Sequence, residues 1–155
     1  MSSWALDAAL KTTVAVIDNR SIGVLCYSPA YTFVEKLQTI STKFRNQQSL
    51  AEHSGNAANS FPKNFLRHYY DLYCLLNSPE VLAFIGTQAY HARKHERFPA
   101  ADNQHIASNE AFLLGQPEVR AVYKAKYKET SGLYYAGQVP FDDLLARIAL
   151  HIGRL

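Results

Sequence analysis

The sequence predicts a mainly α protein, a bundle of about five helices carrying a short N-terminal β hairpin or pair of edge strands. Three observations carry this. Apolar residues recur at helical spacing through most of the chain after Pro29, prolines punctuate those stretches where helices would begin, and β-branched runs are confined to the residues before Pro29.

The β element comes first. Thr13–Ile17 and Ile22–Tyr27 are β-branched or apolar runs flanking the turn-like Asp18–Ser21. A two-stranded ribbon is marginal on its own, so these strands must pack on helices, join a larger sheet, or pair across a homodimer. Ser28 and Pro29 then supply an N-cap and a first-turn proline, opening a helix to about Gln48. Its apolar stripe is Phe33, Leu37, Ile40 and Phe44, with Lys36 and Lys43 beside it and Glu35 pointing away. Residues 46–64 are rich in Asn, Gln, Ser and Gly without a period, which predicts a loop insertion.

A second helix is expected over Asn64–Leu76, with Phe65, Leu66, Tyr69, Leu72, Tyr73 and Leu76 inward and Arg67, Asp71 and Cys74 on the opposite side. Ser78 and Pro79 start a third, running to Arg97 through Val81, Leu82, Phe84, Ile85 and Tyr90. Phe98–Gly115 reads as mostly loop with a short helix over Ser108–Leu114. Pro117 opens a helix to Thr130, and Pro140 begins the last, striped by Phe141, Leu144, Leu145, Ile148 and Ile152.

With 155 residues, 48% of them hydrophobic, the chain is expected to form one domain over residues 1–155, a β element at 1–28 and a helical part at 29–155. That composition excludes intrinsic disorder. Apolar runs such as Val81–Ile85 are far too short to span a bilayer, and the N-terminus lacks a secretory pattern, so a cytoplasmic protein without membrane association is expected. Cys26 and Cys74 match no metal spacing and are expected to be buried free thiols. A net charge of +3 does not by itself predict a nucleic-acid partner.

Few residues suggest chemistry. Arg67 and Asp71 form an i, i+4 pair set among aromatics in RHYYDLY, where a partly desolvated aspartate would stay ionised beside the guanidinium. Lys36, at the edge of an apolar stripe, either snorkels to water or offers a cation to a nucleotide phosphate. His91 and His95 share a helix face, but Arg93 and Lys94 between them would repel a cation, and no metal site is expected. Arg93, Lys94 and Arg97 on one helix, with Lys124 and Lys126 on another, interleave with tyrosines as an RNA- or partner-binding surface would. Lys124, Lys126 and Lys128 nevertheless spread around their helix, as on a solvated face. No Gly-rich phosphate loop, nucleophile elbow or paired D-x-D carboxylate occurs.

The strings SPAYTFVEKLQTISTKFR and FPKNFLRHYYDLYCLL, followed by P-F-D-D-L-L, resemble the nucleotidyltransferase toxins of the abortive-infection AbiEii/AbiGii type over about Ile22–Leu150. This resemblance implies the helical C-terminal half of a DNA polymerase β-like nucleotidyltransferase, acting as the toxin of a toxin-antitoxin pair. Family toxins transfer nucleotides from a nucleoside triphosphate with magnesium, in some relatives to the 3′ end of tRNA. By the same resemblance Lys36, Arg67 and Asp71 occupy active-site positions, the lysine on the triphosphate and the carboxylate positioning or activating the reacting groups.

The family's Gly-rich turn and D-x-D pair are not matched. Gly23 is the only glycine before Pro29, and Asp7 and Asp18 are not paired. Magnesium and a nucleoside triphosphate are therefore expected cofactors only for a complete family member, and this chain alone is expected to be inactive. A truncated gene, a split protein with a complementary N-terminal chain, and a half domain turned to binding would each give this sequence. The expected partners are an antitoxin or that complementary chain, tRNA, or a second copy joined through exposed strands; the alternative is an RNA- or protein-binding module without catalysis.

Overall fold

A computed structural model describes residues 25–54, 61–62, 64–134 and 137–155. Among the described residues seven α-helices carry the fold: α1 (Pro29–Ser54), α2 (Arg67–Leu75), α3 (Pro79–Phe84), α4 (Gln88–Arg97), α5 (Glu110–Leu113), α6 (Pro117–Lys128) and α7 (Phe141–Ala149). Three short 3-10 turns, Ile106–Ser108, Ser131–Leu133 and Ile152–Arg154, join or end them. Among the described residues no strand forms, and no helix is long and apolar enough to cross a membrane.

α1 is the hub. It packs against α2, α3, α4 and α5, while α7 covers α2, α5 and α6 from the other side. A helix with neighbours on several sides needs a wide apolar face, so Val34 and Ser41 are buried along with the stripe residues Phe33, Leu37 and Ile40. The core continues through Phe65, Tyr69, Leu72, Tyr90, Tyr123, Tyr127, Leu144 and Ile148. Its tyrosines bring polar ends that must be satisfied: Tyr69 donates to the Ala111 carbonyl at 2.7 Å, Tyr90 to the Leu155 carbonyl at 2.6 Å, and Tyr123 to Gln47 Oε1 at 3.2 Å.

The mainly helical expectation holds, and four details change. First, Leu25–Tyr27, the end of the second expected strand, is irregular and exposed; the rest of the hairpin lies outside the described residues. Second, α1 runs on to Ser54 through 46–54, where a loop was expected. Buried Gln47, reached by the Tyr123 hydroxyl, shows why: the aperiodic stretch is held helical by a tertiary contact, not by its own pattern.

Third, the helix expected over Pro79–Arg97 is two. Gly86 takes φ +85°, a left-handed conformation that ends α3, and the Thr87 hydroxyl accepts from the Tyr90 N–H at 3.2 Å to start α4. Fourth, both cysteines are free as expected but exposed, not buried.

The adjacent residues Glu35 and Lys36, separated by about 100° around α1, serve different neighbours. Glu35 reaches α4, pairing with Arg93 and Arg97 at 2.7 Å each, while Arg93 stacks over the Tyr27 and Tyr31 rings. Lys36 turns toward α2.

Candidate functional site

Lys36 and Asp71, distant in sequence, meet in the groove between α1 and α2. Lys36 Nζ lies 2.7 Å from Asp71 Oδ2 and 3.3 Å from His68 Nδ1. Arg67 Nε is 3.8 Å from Asp71 Oδ1, and His68 Nδ1 is 3.7 Å from Oδ2, beyond hydrogen-bond range. The local sequence dictates this. On α2, Tyr69 and Leu72 are fully buried, which turns Arg67, His68 and Asp71 out along the groove facing α1. On α1, burial of Phe33, Leu37 and Ile40 leaves Lys36 at the stripe's edge. The two helices run antiparallel here: Phe44 and Phe65 both pack on Tyr123, so Lys43 lies further along α1 toward the start of α2.

Lys36, His68 and Asp71 are between a fifth and a quarter exposed, and Arg67 is 58% exposed. Burial pushes the Asp71 carboxyl up, but the groups around it, the Lys36 ammonium and the Arg67 guanidinium among them, outweigh it and hold its pKa below the ordinary value. The folded state therefore binds this proton more weakly than the unfolded chain does. The resulting stability is present above the unfolded carboxylate range and is lost as pH falls through the lower folded value. Asp71→Asn is expected to unfold at a lower temperature than the wild type at pH 7, with the gap closing below about pH 4. Thermal unfolding at the two pH values checks this, and a gap unchanged at pH 3 would contradict it.

Charge along the groove is unbalanced. Lys36 and Arg67 share the single carboxylate of Asp71, while Lys43, two turns further along α1 from Lys36, forms no ion pair among the described residues. The other basic residues singled out from the sequence are differently placed. Arg93 and Arg97 are held by Glu35, Lys124 and Arg120 by Asp142 at 2.5 and 2.9 Å, and Lys126 by Glu129 at 3.1 Å. Lys94 is buried, its ammonium donating to the Leu155 carbonyl. The structure thus gathers Lys36, Arg67 and Asp71 in one place and scatters Arg93, Lys94, Arg97, Lys124 and Lys126 among intramolecular contacts.

His68 is the member of this site that the motif reading passed over. Its signal was available, since it lies one helical turn before Asp71 on the same face.

Magnesium does not fit here. The Asp71 carboxylate is already neutralised by an ammonium, and no group of three or more His, Cys, Asp or Glu side chains among the described residues could hold a metal ion. The donors present suit an anion. A recess of about 460 Å³ between α1 and residues 101–110 involves Arg45, Asp102 and Asn109, and touches neither Lys36 nor Asp71.

A family profile described as nucleotidyl transferase AbiEii toxin, type IV TA system, matches residues 6–147. The match spans nearly the whole chain and begins before the Ile22–Leu150 stretch over which the motifs alone carried the resemblance. No curated protein and no solved structure matches.

Proposed function

The chain belongs to the AbiEii nucleotidyl transferase toxin family, and from that premise we propose that it binds a nucleoside triphosphate in the α1–α2 groove without completing transfer alone. The observation that carries this reading is the 2.7 Å approach of Lys36 Nζ to Asp71 Oδ2, which joins the two sequence motifs into one site. Lys36 places an ammonium on the triphosphate, and Arg67, which shares the one Asp71 carboxylate with Lys36, and Lys43 add positive charge. Asp71, with its lowered pKa, is too weak a base to take a proton near neutral pH; it acts by orienting a ribose or acceptor hydroxyl through a hydrogen bond.

Transfer itself requires carboxylates to hold magnesium against the phosphates. The described residues provide none, and Asp7 and Asp18 do not form a pair in the sequence. The reaction is accordingly assigned to an assembly with a complementary chain that supplies them, with tRNA as acceptor and an antitoxin as the controlling partner.

Equilibrium binding of each of the four nucleoside triphosphates, followed by label transfer into total tRNA with magnesium, tests this. At least one triphosphate should bind, Lys36→Ala should weaken it about tenfold or more, and the chain alone should label no tRNA. Equal binding by wild type and Lys36→Ala, or no binding at all, would overturn the assignment of the groove. Labelling that Lys36→Ala and Asp71→Ala both abolish would overturn the claim that a further chain is needed.

A further inference from the structure

We propose that His68 is a positioning residue for Lys36: its neutral ring accepts a hydrogen bond at Nδ1 from the ammonium and so fixes where the remaining N–H of Lys36 points. This rests on the triphosphate reading of the groove and names a residue to which the resemblance assigned no role. Three facts support it. The Lys36 Nζ to His68 Nδ1 distance is 3.3 Å, within hydrogen-bond reach, whereas His68 Nδ1 to Asp71 Oδ2 is 3.7 Å and outside it. An ammonium has three donors and no acceptor, so a bond between it and an imidazole nitrogen requires that nitrogen to be unprotonated. His68 and Asp71 project from successive turns of the same α2 face, so each takes one donor from a different direction.

A lysine on four flexible carbons is ordinarily a poorly aimed charge. Held by Asp71 alone, Lys36 could swing about the carboxylate. With His68 taking a second donor, one N–H of Lys36 remains for a ligand, beside the carboxylate that Arg67 also approaches. Among the described residues the one competing partner for Nδ1 is the Asp71 carboxylate, which lies 3.7 Å away and is already bonded to Lys36. From α1 it meets Lys36, with Lys43 further along. On α2 it has Arg67 and Asp71. The α7 groups near α2 are at its other end, where Arg147 donates to the Leu76 carbonyl and to Asn77.

The test uses the full chain and two readouts. Nitrogen-15 NMR of the histidine rings at pH 8 should show His68 protonated on Nε2 with Nδ1 bare. Binding of inorganic triphosphate at the same pH should be nearly unchanged in His68→Asn, whose Oδ1 stands close to where Nδ1 accepts, and about fivefold weaker in His68→Ala. A proton on Nδ1, or equal weakening by Asn and Ala, would overturn the proposal, because a purely structural role requires neither the bare nitrogen nor rescue by an acceptor. If triphosphate fails to bind the wild type while Nδ1 is bare, the nucleotide reading of the groove falls and the positioning of Lys36 by His68 stands.

Discussion

Tyr123→Ala is expected to cost the fold about 3–5 kcal/mol, enough to remove a large share of an ordinary domain's stability. Tyr123 is fully buried, and its ring meets Phe44, Phe61, Phe65 and Tyr69 at centroid distances of 5.8, 4.9, 5.9 and 6.4 Å. Truncation would empty the place where α1, α2 and α6 converge, and none of these helices can close over it without losing contacts elsewhere. Tyr123→Phe separates packing from polarity. It keeps the ring and loses the hydroxyl's hydrogen bonding to Gln47 and Gln48, so its cost should be about 1 kcal/mol. Urea unfolding of the three proteins measures both; a loss below about 1.5 kcal/mol for Tyr123→Ala would show that the aromatic cluster does not hold these helices together.

Asp102→Ala is expected to cost about 3 kcal/mol, although Asp102 sits in a connecting segment. Its side chain is completely buried, and it accepts from Arg45 Nε at 2.6 Å and from the Thr42 hydroxyl. Both donors lie on α1, so one carboxylate pins the segment after α4 to the hub helix. Asn109 adds a second tie, donating to Ser41 Oγ at 2.9 Å while its Oδ1 accepts from the Ala111 N–H and caps α5. Asp102→Asn keeps the shape and one acceptor but loses the charge, and should fall between wild type and alanine. The same unfolding experiment, with limited proteolysis of residues 98–109 as a second readout, checks it. An alanine variant as stable and as protease-resistant as wild type would mean the segment is held by its apolar contacts alone.

These two cases mark the boundary of what the sequence discloses. Helical spacing correctly placed Phe33, Leu37 and Ile40 inside, because a single helix face is a local property. Val34 and Gln47 escaped it, because α1 is enclosed on several sides and only the tertiary arrangement says so. The break at Gly86–Thr87 was written in plain residues, a glycine followed by an N-capping threonine, but the apolar spacing across it looked continuous. Asp102 carries no pattern at all; its partners, Thr42 and Arg45, are remote in sequence. For the site, motif resemblance singled out Lys36, Arg67 and Asp71, and the antiparallel packing of α1 on α2 accounts for their meeting. The one-turn spacing of His68 before Asp71 is legible, but its role is not, because that depends on which nitrogen faces which neighbour.

The central place of α1 also has a consequence in time. Phe33, Val34, Leu37 and Ile40 are made first among the described core residues, yet the helices that cover them, α2 to α5, are complete only at Leu113. At ribosomal speeds of roughly 5–20 residues per second, the growing chain carries this uncovered apolar stripe for about 4 to 15 seconds. During that interval the stripe is a natural target for holding chaperones, and the groove bearing Lys36 cannot form until α2 has been made and has docked.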